Sequence, residues 1–131
     1  MKGYIENIEQ VTKTNTLFRK VLYTGKYSQL VLMNLKPGEE IGAEVHIDVD
    51  QFFRFEEGTG QVIIDDVTHN IEAEFAVIVP AGANHNVVNT GDSELKLYTI
   101  YSPAEHQDGT IRATKAEAEA EPEHFDGKTT E

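Results

Sequence analysis

An all-β fold is predicted by three features of this chain. Short runs rich in β-branched and aromatic residues follow one another along most of its length. Glycine, proline, asparagine and aspartate separate them, and no helical period interrupts the body. Many short strands at this interval imply an antiparallel sandwich or barrel. Strands are predicted near Leu17–Tyr23, Ser28–Lys36, Ala43–His46, Phe52–Glu56, Gln61–Ile64, Thr68–Ile71, Ala76–Val79, His85–Asn89 and Leu95–Tyr101. Turns are expected after Thr24, at Pro37-Gly38, Glu57–Gly60, Asp65-Asp66, Pro80–Gly82 and Thr90–Asp92, where residues that favour turns cluster.

A length of 131 residues suits one domain with a single core. A barrel is expected over residues 1–111, with an acidic tail over 112–131. The tail segment Thr114–Glu121 is rich in alanine and glutamate, good helix formers, and Pro122 would stop a helix there. It carries almost no large apolar face, so a short exposed helix or partial disorder is expected, with Phe125 its only bulky anchor. The loop from Tyr101 to Gly109 precedes it and could fold over the barrel, with no single conformation implied.

Composition excludes several functions. The net charge is -12, from 23 acidic and 11 basic residues, a balance that repels phosphate backbones and anionic membranes. Neither a nucleic-acid nor a membrane partner is therefore expected. No run of apolar residues is long enough to span a bilayer, and the N-terminus lacks the apolar segment of a secretory signal. Cysteine is absent, which removes disulfides, thiolate metal sites and thiol nucleophiles, and fits a cytoplasmic protein. No glycine-rich phosphate loop or serine nucleophile motif occurs.

Four oxygen and nitrogen donors stand out: Glu44, His46, Gln51 and His85, all on or beside predicted strands. Strand side chains alternate between faces, so Glu44 and His46 point the same way and could serve one metal ion. Imidazole and carboxylate together suit Zn, Mn, Fe or Ni, and two histidines with one carboxylate match the donor set of non-haem Fe(II) oxygenases. Gln51 is a weaker, neutral donor that serves as a ligand or as a hydrogen-bonding group behind the ligands. Asp48 shares the predicted face of His46 but falls in an expected turn, and ranks below Gln51. His69, His106 and His124 lack partners at ligand spacing and are expected at the surface.

The stretches around these donors resemble the two motifs of the cupin superfamily. The spacing of the first, from Gly38 through Glu44, His46 and Gln51 to Gly58, is kept in full. Glu44 stands where that motif has its first histidine, and Gln51 where it has glutamate. Of the second motif, Pro80, Gly82, His85 and Asn89 fall in place, with Glu74 replacing a leading glycine. The resemblance covers roughly Val31 to Tyr101. It implies a double-stranded β-helix, or jelly roll, and one divalent ion (Mn, Fe, Ni or Zn) held by Glu44, His46, Gln51 and His85. Small cupins look like the sugar-isomerase branch, mannose-6-phosphate isomerase-like proteins among them, and commonly pair through an outer sheet face.

Alternation extends the site. If Gln51 faces inward, Phe53 and Phe55 follow it while Phe52 and Arg54 face outward; His85 likewise brings Val87 inward. An apolar pocket is expected, with Tyr98 or Tyr101 adding a hydroxyl according to the register of the last strand. Phe52 on the outer face implies a covered surface and a homodimer. Three functions stay open for a small-molecule substrate or ligand: a metal-dependent isomerase, epimerase or lyase acting on a sugar-like molecule, an Fe(II)-dependent dioxygenase, and a binding or sensing module without turnover.

Overall fold

Two antiparallel sheets face each other across a core, as described for all residues from Met1 to Glu131 by a computed structural model. The six-stranded sheet comprises β1 (Arg19–Thr24), β2 (Gln29–Leu35), β4 (Asp50–Glu57), β7 (Ala76–Val79), β9 (Leu95–Ser102) and β10 (Ile111–Arg112), ordered β10-β1-β2-β9-β4-β7. The four-stranded sheet holds β3 (Glu44–Val45), β5 (Thr59–Ile64), β6 (Val67–Glu72) and β8 (Asn84–Val88), ordered β3-β8-β5-β6. Consecutive strands alternate between the sheets in much of this path, as a jelly roll requires.

Each of the nine predicted strands is present. β4 shows why: Gln51, Phe53 and Phe55 are buried while Phe52 and Arg54 are half-buried, the period of two that an inward and an outward face impose. Phe53 and Phe55 are wholly buried and stack with centroids 6.3 Å apart. Burial of each stabilises the fold by about 1.5–3 kcal/mol. Val31, Met33 and Leu35 of β2, Leu95 and Leu97 of β9, and Val87 of β8 complete this core.

Local chemistry sets the turns. Asp65 and Asp66 both adopt positive φ, 44° and 68°, in a two-residue connection between β5 and β6. Two left-handed central residues match the right-handed twist of the flanking strands, and aspartate tolerates that region better than most residues. Gly58 has φ 95°, and a Cβ there would lie 2.6 Å from the Glu94 carbonyl oxygen. Glycine is therefore required on both counts.

The absence of a helix from the body is corrected. Residues Ile8–Thr14 form helix α1, with the Asn7 side chain accepting from the Gln10 N–H as N-cap. It packs against β4 and β9, and its one fully buried side chain is Thr12. Seven residues are too few to display a helical period, and a polar residue at the centre of the contact hides the rest. In the tail, helix α2 (Lys115–Ala120) is capped by Thr114 and packs Ala118 against the core. Beyond it, the Phe125 N–H donates to the Glu105 carbonyl at 2.9 Å, and that of Thr130 to the Thr24 carbonyl at 2.9 Å.

Candidate metal centre

Glu44 and His85 are direct cross-strand partners in the β3–β8 pair, so their side chains leave the sheet side by side. His46 lies two residues beyond Glu44 and returns to the same side. Its carbonyl accepts from the Gly82 N–H at 2.9 Å, tying it to the turn that introduces β8 and His85. The rings of His46 and His85 are 5.3 Å apart. One ligand atom from each of Glu44, His46 and His85 lies within 4.8 Å of the others, a group that could hold a metal ion. Asp48 sits exposed in the turn after His46 and is outside this group.

His46 Nε2 lies 2.9 Å from Glu44 Oε2, yet it is buried without an aligned hydrogen bond. The two atoms are close but do not point at one another as donor and acceptor. Donors bound to one cation at about 2.0–2.2 Å and at right angles would stand about 3 Å apart, with both lone pairs aimed at the shared centre. The spacing of the pair is therefore compatible with a shared metal ion.

The opposing sheet contributes Gln51 and Tyr101, which face each other in the β4–β9 pair. Gln51 is buried; its Nε2 donates to Thr99 Oγ1 at 3.0 Å, and its Oε1 is buried with no partner. An orphaned amide oxygen inside a barrel is costly, and coordination of a cation would remove that cost. Tyr101 is buried, with its ring 5.9 Å from that of His46 in an edge-on contact. Burial pushes its phenol pKa upward, so the hydroxyl stays protonated.

Tyr98 is excluded from the site. The register opposes it to Arg54 on the outward face, where its ring lies 6.3 Å from that of Phe52. Phe53 approaches His85 at 6.1 Å and Phe55 stacks behind it, so both floor the site without lining its opening. The expected apolar pocket is also corrected. A cavity of about 390 Å³ opens above the donors, lined mainly by charged and polar groups, among them Arg19, Glu105, His106, Lys115 and Glu123. Helix α2 and the residues after it supply one wall.

His106 corrects a further expectation. It is buried rather than superficial, because Gln29 clamps its backbone and the tail covers its ring. Gln29 Oε1 accepts from the N–H groups of Glu105 and His106, and its Nε2 donates to the His106 carbonyl at 2.8 Å. Glu123 can only accept, so His106 Nδ1–H donates to it, leaving Nε2 to accept from the Tyr101 hydroxyl at 3.1 Å. His69 and His124 are exposed as expected, although His124 borders the cavity.

Glu105 approaches His46 from the other side, with Oε1 3.5 Å from Nδ1. This contact, and then that with Glu44, raises the His46 pKa to about 9 against the opposing effect of burial. The His85 pKa is lowered, chiefly by burial. For Glu44, burial acts upward, but contact with His46, aided by Arg19, leaves the carboxyl below its ordinary value. Neither Glu105 nor Arg19 stands at ligand spacing in the sequence. For Arg19 a signal existed: it shares strand parity with the apolar Val21.

A jelly roll with two imidazoles and a carboxylate converging inside one end has the architecture of a cupin. The chain belongs to the cupin family, with residues 31–101 matching the cupin domain. It is 46% identical over 125 residues to the uncharacterized protein YrkC of Bacillus subtilis, covering 91% of this chain and 67% of that protein. It is 41% identical over 112 residues to the uncharacterized protein L612 of Acanthamoeba polyphaga mimivirus, covering 82% and 70% respectively. The crystal structure of BH2720 from Bacillus halodurans superposes with a TM-score of 0.90 at 43% identity, over 92% of this chain and 96% of that one.

Proposed function

We propose that this cupin is a metal-dependent enzyme acting on a small oxygenated molecule, by isomerisation, epimerisation or elimination. The observation that carries the reading is the convergence of Glu44, His46 and His85 within 4.8 Å of one another. Gln51 Oε1, buried and unpartnered, is the fourth donor in this proposal. With one carboxylate and three neutral donors, the site suits a single divalent ion of Mn, Fe, Ni or Zn. Such an ion, when bound, supplies Lewis acidity toward a carbonyl or hydroxyl oxygen.

The surrounding residues have separate tasks. Glu105 Oε1, 3.5 Å from His46 Nδ1, is placed to take up its N–H when a metal occupies Nε2, which would orient the ring. The Tyr101 hydroxyl, backed by His106 and Glu123, holds a proton at the inner edge of the site. Reactions that relocate a proton on the substrate suit such an arrangement. The cavity volume fits a small molecule.

The donor set of two histidines and one carboxylate favours one second reading, Fe(II)-dependent dioxygenation. Elemental analysis of the purified full chain tests the first requirement of both, with about one divalent ion per chain expected and little in His46→Ala. Protein that purifies metal-free, and gains no thermal stability from Mn, Fe, Ni or Zn, would instead support a binding module without turnover. Oxygen consumption after anaerobic loading with Fe(II) separates the enzymatic readings, since only the dioxygenase requires it.

A further inference from the structure

Arg19 is the one arginine of this chain without a carboxylate. The other two are paired, Arg54 with Glu56 at 3.1 Å and Arg112 with Glu121 at 3.9 Å. No ion pair of the chain includes Arg19, and its buried Nε has no hydrogen-bond partner. Acidic residues outnumber basic ones by 23 to 11, so a carboxylate partner was readily available. Leaving a guanidinium unpaired in a partly buried position costs stability unless something else meets it.

Its position indicates what that is. On β1, Arg19 pairs with Met33 and Val21 with Val31, and both partners belong to the core between the sheets, whereas Leu32 opposite Lys20 does not. Arg19 therefore leaves the strand on the inner face, where it lines the same cavity as Glu44 and His46. Its guanidinium lies over the Phe18 ring, 5.3 Å from the centroid, which supports the cation without using its N–H donors. The neighbouring cation Lys115 is engaged with Glu119 at 3.8 Å. Arg19 is thus the free cation of the cavity.

We propose that the small molecule bound here is a carboxylic acid bearing hydroxyl or oxo groups, its carboxylate gripped by Arg19 and another oxygen directed to the Glu44–His46–His85 group. The proposal rests on the metal-site reading for the second contact only. A planar guanidinium matches a carboxylate with two parallel N–H···O bonds. A dianionic phosphate fits less well, because Glu44, Glu105, Glu119 and Glu123 also border the cavity and Arg19 is its one cation outside an ion pair.

The test is calorimetric titration of the Mn(II)-loaded full chain with two matched pairs, lactate against lactamide and gluconate against gluconamide, and with glycerol 1-phosphate. At least one acid is expected to bind about tenfold to a hundredfold more tightly than its amide. Arg19→Gln should abolish that preference and Arg19→Lys should keep part of it, with manganese content and melting temperature held near the parent's. Hydroxy acids also chelate manganese, so the loss of preference in Arg19→Gln is the deciding readout. Equal binding of acid and amide, a preference that survives Arg19→Gln, tighter binding of the phosphate ester, or no binding of either acid each overturns the proposal. Manganese content separates the two readings. A chain that binds no metal but keeps an Arg19-dependent preference sinks the metal site alone, whereas a loaded chain without the preference sinks the Arg19 assignment alone.

Discussion

Glu105 Oε1 lies 3.5 Å from Nδ1 of His46, on the side of the ring opposite Glu44. An imidazole held between two carboxylates is stabilised in its charged form, and Glu105 has the larger part in raising this pKa to about 9. In protein stripped with EDTA, His46 should therefore be an imidazolium at neutral pH. Its folded pKa exceeds the value of 6.5 expected in the unfolded chain. The resulting stabilisation is fully present below pH 6.5 and is lost as the pH rises through about 9. NMR titration of the stripped protein should show one histidine titrating near 9, and its urea midpoint should fall across that window. A His46 midpoint near 6.5 would refute the assignment.

Replacing Glu105 by glutamine removes the charge and keeps the shape. The His46 pKa should drop toward its ordinary value, and affinity for a divalent ion should weaken by about 10–100-fold, the usual cost of losing the partner that orients a ligating histidine. Competition with a chromophoric chelator measures the second effect. Unchanged affinity would mean that His46 is oriented by the barrel alone.

What the sequence disclosed follows from the range of the interactions concerned. Strands were legible because alternation is local: the parity of Gln51, Phe53 and Phe55 needs only eight consecutive residues. Glu44, His46 and His85 were legible because fixed turns carry them, with the Pro80–Gly82 turn held by the Asp50 side chain and the His46 carbonyl. The choice between Tyr98 and Tyr101 was not legible, since it depends on the β4–β9 register, and a shift of one residue exchanges the faces. His106 and Glu105 were hidden for a related reason. Gln29, more than seventy residues earlier, sets their backbone, and no local pattern announces such a contact.

Gly58 offers a test of the fold independent of the metal. Its φ of 95° and the Glu94 carbonyl 2.6 Å from a would-be Cβ leave no room for a side chain. Gly58→Ala should cost about 1–3 kcal/mol from backbone strain alone, more if the β4 bulge between Phe55 and Glu57 has to move. Urea denaturation gives the value. A variant as stable as the parent would mean that the turn has another conformation.

The last prediction concerns the tail. Glu123 and His106 side chains are 9% and 11% exposed, so their contact lies in a region where an unmade hydrogen bond is expensive. Glu123→Ala leaves His106 Nδ1–H buried without an acceptor, at a cost of about 1–3 kcal/mol. Glu123→Gln retains a carbonyl oxygen at that place and should recover part of the loss. Neither change touches Glu44, His46 or His85, so metal content should remain that of the parent. The Tyr101 hydroxyl, however, depends on His106 for its acceptor. If that chain handles a substrate proton, turnover should fall in Glu123→Ala more than its stability explains, with the larger effect on kcat than on KM. Equal turnover in the folded variant and the parent would restrict Glu123 to fastening the tail.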